Sequence, residues 1–83
     1  MDRQYWTSPV ELYLPGSTRC RAITGTIFAL ECLVTLWPTT RGNAYLQALK
    51  DCRDALGGQS SVEQARSSFI SAAREANLTV ASA

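Results

Sequence analysis

The run Thr26-Ile27-Phe28-Ala29-Leu30-Glu31-Cys32-Leu33-Val34-Thr35-Leu36-Trp37 is broken only by Thr26, Glu31 and Thr35. A helix so apolar around its circumference belongs at the centre of a packed core. At about 25–37 it is too short to span a bilayer, which takes roughly 20 apolar residues. Thr24 is placed to cap its start, and Pro38 ends it by disfavouring the helical conformation at Trp37 and removing a donor. Glu31 and Thr35, at i and i+4, mark the one edge expected to reach water.

The remaining segments are less apolar and one-sided. Val10 to Leu14 and Thr18 to Ala22 alternate in character around the turn residues Pro15-Gly16-Ser17, which predicts a β-hairpin at about 8–23. A two-residue loop would set Leu12 opposite Arg19 and put arginines on the apolar face. A three-residue loop pairs Leu14 with Thr18, Leu12 with Cys20 and Val10 with Ala22 inside, leaving Tyr13 beside Arg19 and Glu11 beside Arg21 outside. The three-residue register is therefore expected.

A second helix at about 43–57 starts with Asn43 as cap and ends at Gly57-Gly58, with Tyr45, Ala48, Leu49, Cys52, Ala55 and Leu56 inward and Gln47, Lys50, Asp51, Arg53 and Asp54 wet. A third, at about 60–77, opens with the capping box Ser60-Ser61-Val62-Glu63, Ser60 serving as cap, and Asn77 terminates it. Its inward stripe of Val62, Ala65, Phe69, Ala72, Ala73 and Ala76 is small enough for close helix approach. The tail Leu78-Thr79-Val80 can add a short C-terminal strand. The fold class is thus α+β, a hairpin packed on three helices in one domain spanning 1–83, with a core built on Leu12, Leu33, Trp37, Tyr45, Leu49, Cys52, Leu56 and Phe69.

Composition removes most chemistries. The chain has no histidine, and so lacks the commonest general base and metal ligand. Cys20, Cys32 and Cys52 form no CxxC pair, which leaves neither a zinc site nor a disulfide framework; buried, reduced thiols are expected, with no cofactor or metal. Eight basic against seven acidic residues leave a net charge of +1, far from the excess of a phosphate-binding domain. Met1 to Trp6 lacks the apolar core of a secretory signal and no run is long enough to cross a membrane, so a cytoplasmic protein is expected.

The ordered set Pro9-Val10, Trp37-Pro38, Gly42, Tyr45, Ala48-Leu49, Cys52, Ala55-Leu56, Gly58, Ala65-Arg66, Phe69-Ile70, Ala73 and Ala76 resembles the domain-of-unknown-function family nine-eight-two. The resemblance runs from Trp6 to Val80. It implies a short stand-alone protein of the kind found chiefly in rhizobia and related alphaproteobacteria, and it carries over no catalytic or binding residue.

What is left is surface. A hairpin has two strand edges that must be covered, charged or paired, and the first helix offers apolar surface that two one-sided helices and one hairpin face are hard put to cover. A non-catalytic protein-interaction or regulatory module ranks first, its partner another protein or a second copy in a homodimer. The candidate interaction residues are Tyr13, Arg19, Arg21, Glu31 and Thr35. The alternative is weak nucleic-acid binding by the outer hairpin face, where Arg19 and Arg21, joined by Arg3 or Arg41, would flank Tyr13 or Trp6. A small enzyme ranks third.

Overall fold

The computed structural model describes residues 4–16 and 18–82. Its elements are β1 (Tyr5–Tyr13), β2 (Cys20–Gly25), α1 (Thr26–Thr35), α2 (Asn43–Leu56), α3 (Val62–Glu75) and β3 (Thr79–Ser82). The strands form one antiparallel sheet in the order β2-β1-β3, so the C-terminal tail does join the hairpin, beside β1. Ser17 of the expected turn and Arg3 of the expected basic patch lie outside the described residues.

Trp6, Val10, Leu12 and Ile23 point from the sheet into the core. Phe69 of α3 is completely buried among them, its ring 5.7 Å from that of Trp6 and 5.3 Å from that of Trp37. Small residues do the rest. Ala48, Ala55, Ala65, Ala72 and Ala73 are buried on α2 and α3, which brings the two helices close, as their alanine stripes predict.

The hairpin register differs from expectation by one step. Val10 faces Ile23, Glu11 faces Ala22, Leu12 faces Arg21 and Tyr13 faces Cys20, with the connection running from Leu14 to Arg19. The reason lies just past the segment whose alternation was counted. This register buries Ile23, 2 % exposed, whereas the three-residue loop would bury Cys20 and Ala22 and turn Ile23 outward. Each extra buried methylene is worth about 0.8 kcal/mol, so isoleucine outweighs alanine. Arg21 then falls on the face of Leu12, but β2 is an edge strand and Arg21 stays exposed, lining the groove beside α1. Strand β1 also begins earlier than about 8, because Trp6 belongs to the core. Its pairing slips between Tyr5 and Val10, around Pro9, which has no amide to donate.

No loop separates β2 from α1. Thr24 lies in the strand, and Gly25, not Thr24, is the helix cap, without any side-chain hydrogen bond. The Thr26 amide donates instead to the Gln4 carbonyl at 3.0 Å, and the buried Thr26 hydroxyl accepts from Trp6 Nε1 at 3.2 Å. A side chain at residue 25 would bring Cβ to 2.9 Å from that same carbonyl, which explains the glycine.

Helix α1 ends at Thr35 rather than Trp37, and Trp37 turns back into the core. Helix ends leave carbonyls without intrahelical partners. The Tyr45 hydroxyl of α2 supplies one, donating to the Leu33 carbonyl at 3.0 Å and locking α2 to the end of α1. The start of α2 is capped from a distance: Glu75 of α3 accepts from the Ala44 amide at 3.1 Å and the Tyr45 amide at 3.2 Å. Asn43 is therefore not the cap. Gly42 holds that position, and a Cβ there would overlap the Glu75 carboxylate.

The cap of α3 is Ser61, one residue later than expected, accepting from the Gln64 amide at 3.0 Å. Both later helices end in the same way. Gly58 at φ 81 and Asn77 at φ 60 adopt the left-handed conformation, while Gln59 and Leu78 donate back to Asp54 and Ala73. Two positions on α2 differ from expectation, Leu56 and Asp51, while Leu49 packs against the core. Leu56, in its last turn, is 36 % exposed and outside the core. Asp51, expected on the wet face, is buried between α2 and α3.

Candidate interaction surface

Helix α1 buries Thr26, Ala29, Cys32 and Leu33 and leaves uncovered a face on which large apolar side chains flank the exposed Glu31 and Thr35. Ile27 is 50 % exposed, Phe28 42 %, Val34 61 % and Leu36 44 %. Tyr5, itself largely exposed, extends this ridge, its ring centroid 6.4 Å from that of Phe28. The central-helix expectation is thus half right. An all-apolar helix calls for cover on every side, but among the described residues α2, α3 and one sheet face are what is set against it, and the sheet packs its own side chains there.

Beside the ridge runs a groove of about 430 Å³ between α1 and the free side of β2. Arg21, Ile23 and Thr24 form its strand wall, and Phe28, Glu31, Cys32, Thr35 and Leu36 its helix wall. Because α1 folds straight back from β2, the walls run in opposite directions. Arg21 and Glu31 both act on the Cys32 thiol between them: burial raises its pKa most, Arg21 lowers it and Glu31 raises it again, with a net upward shift. A thiol held protonated is a poor nucleophile. The Thr35 hydroxyl is engaged, donating to the Glu31 carbonyl at 2.7 Å.

Of the five candidate residues, the structure gathers Arg21, Glu31 and Thr35 in this groove. Tyr13 and Arg19 stand apart. Tyr13, exposed at the end of β1, lines a separate shallow hollow with Leu14, Asn77 and Thr79, and Arg19 lies exposed in the hairpin connection. The arginine face needed for nucleic-acid binding also comes apart, since Arg21 shares the face of Leu12. Sequence reasoning missed Tyr5, which it left outside the hairpin, and the groove itself. The one signal in the sequence is how short the link is: a single glycine, Gly25, stands between the strand residues Ile23-Thr24 and the apolar run from Thr26.

Asp51 is the other buried polar feature. It accepts from the Ser68 hydroxyl, from Gln47 Nε2 at 2.9 Å and from Gln64 Nε2 at 3.3 Å. Burial alone would raise its pKa, but the hydrogen bonds from Ser68, Gln64 and Gln47 and the charge of Lys50 bring it below the usual carboxylate value. The cluster is internally paired, with no imidazole in the chain to activate Ser68, so it holds α2 to α3. A further open hollow separates Tyr5 to Ser8 from the start of α3. Arg66 crosses it to donate to the Ser8 carbonyl at 2.8 Å.

Among the described residues, no group of three or more His, Cys, Asp or Glu can hold a metal ion, and no helix is long and apolar enough to cross a membrane. A family model described as "Protein of unknown function (DUF982)" matches residues 8–80. No curated protein and no solved structure matches the chain.

Proposed function

We propose that the chain, which belongs to the DUF982 family, works as a small, non-catalytic protein-interaction module of the cytoplasm, with the outer face of α1 and the adjoining β2 groove as its binding surface. The observation that supports this most is the apolar ridge. Three large apolar side chains on one short helix and Leu36 just past its end stand 42 to 61 % exposed, joined by Tyr5. Clustered exposure of that kind on a small domain marks an interaction site more often than scattered single residues do. The three cysteines are free thiols, in keeping with a reducing compartment.

Capture from nuclease-treated native extract tests the reading, with wild type and Val34→Asp as parallel baits. Val34 has the most exposed side chain of the ridge, so the variant keeps the core intact. Protein retained by wild type and lost by Val34→Asp is the expected result. Equal retention by both baits, or retention that nuclease abolishes, would overturn it.

A further inference from the structure

Resting on that reading, we infer that the occupant of the groove is a second copy of this chain, joined by antiparallel pairing of β2 with β2 about a two-fold axis. Strand β2 has β1 on one side and no strand on the other among the described residues. About half of its backbone donors and acceptors therefore point along the open edge. An edge of this kind is normally blunted, and an inward-pointing charge is one of the ways of doing so. Arg21 is such a charge, on the face of Leu12 and at the mouth of the groove. It admits a strand only from a partner that answers it.

The chain carries its own answer. The charged groups lining the groove are Arg21 on the strand wall and Glu31 on the helix wall, one of each sign. Antiparallel pairing of two β2 strands carries the Arg21 of the second copy past Thr24 toward Phe28 and Glu31, because α1 runs back along β2. The same operation carries the first copy's Arg21 toward the second copy's Glu31. An isologous interface makes every such contact twice, so one cation and one anion per chain suffice for full complementarity. The net charge of +1 leaves little long-range repulsion between copies.

Area argues the same way. A standard interface takes about 800 Å² from each partner, close to a sixth of this chain's 5125 Å². The strand edge alone is too small for that. The two-fold arrangement adds the α1 ridge, bringing Ile27, Phe28 and Val34 of both copies onto one side of a continuous six-stranded sheet. Backbone pairing would then fix the register, the ridge would supply apolar area, and Arg21 with Glu31 would select the partner.

Light scattering on the full chain from micromolar to near-millimolar concentration, with charge variants, tests this. Wild type is expected to pass from monomer to dimer mass. Arg21→Glu and Glu31→Arg, each placing like charges at both contacts, are expected to weaken the dimer by at least about tenfold. Mixing the two variants is the discriminating step. One chain then carries only anions and the other only cations at these positions, both contacts become complementary, and a mixed dimer of near wild-type strength should form. Cooperative thermal unfolding of each variant, matching wild type at concentrations too low for the dimer, shows that the monomers are folded. A wild type that stays monomeric, or variants whose mixture associates no better than either alone, would overturn the two-fold pairing. The wider reading fails separately, if Val34→Asp captures from extract whatever wild type captures.

Discussion

Gly42 and Glu75 are 33 positions apart in sequence, and the structure makes them a single unit. The Glu75 carboxylate accepts from two amides at the start of α2 and occupies the space a Cβ at residue 42 would need. Losing a capping acceptor costs about 0.5–2 kcal/mol, and a carboxylate near a helix N-terminus adds about 0.3–1 kcal/mol when exposed. Glu75→Ala should therefore destabilise the chain by about 1–2 kcal/mol, and Gly42→Ala by a similar amount, because it expels the same carboxylate. The double variant should be no worse than Glu75→Ala. Gly42 has φ −70 and ψ 150, which alanine adopts freely, so removing glycine in the Glu75→Ala background should be neutral or stabilising by about 0.4–1 kcal/mol. Urea unfolding of the four proteins measures this coupling. Each kcal/mol is worth about 4–8 °C in Tm for a domain of this size. Additive losses, with the double variant near 2–4 kcal/mol below wild type, would refute the shared-space account.

Three further outcomes follow from the same structure. The folded-state pKa of Asp51 lies below its unfolded value, so its contribution is present above about pH 4 and is lost as pH falls through the folded pKa; Asp51→Asn should lose stability at neutral pH and show a flatter acid limb, and parallel acid limbs for both proteins would count against the pairing. A thiol reagent on native protein should modify exposed Cys20 and spare buried Cys32 and Cys52, the last with its pKa raised by burial to about 12; mass spectrometry showing rapid labelling of all three would contradict the core. Tyr45→Phe should cost about 1 kcal/mol in chemical denaturation by orphaning the Leu33 carbonyl, and no loss would mean that water replaces the hydroxyl.

Local chemistry was legible in the sequence and long-range chemistry was not. The left-handed caps at Gly58 and Asn77 depend on which residues tolerate positive φ, and both stand where the residue types put them. The α3 stripe of Ala65, Phe69, Ala72 and Ala73 is a matter of helical period, and all four are buried. Asn43 has the right side chain for a local cap, but an acceptor from the far end of another helix displaces it. Asp51 reads as solvent-facing because carboxylates usually are, and only the arrival of Gln64 and Ser68 from α3 gives it enough donors to be buried. The register error has the same root. Arg21 looks intolerable on an apolar face until β2 is known to be an edge strand, with room for the side chain to leave. Of the candidate surface, Arg21, Glu31 and Thr35 were named, but the groove that unites them exists only because α1 folds back along β2 without a loop.

Amide hydrogen exchange across β2 tests the central claim most directly, because its open-edge donors have no partner strand among the described residues of the single chain. Exchange is followed by mass spectrometry at several protein concentrations from low to high micromolar, with α2 and α3 as internal references. The account predicts that Cys20–Gly25 slows as concentration rises, together with α1, and that Val34→Asp removes the effect. Exchange in β2 that is the same at every concentration, or protection that appears on α2 and α3 instead, would contradict it.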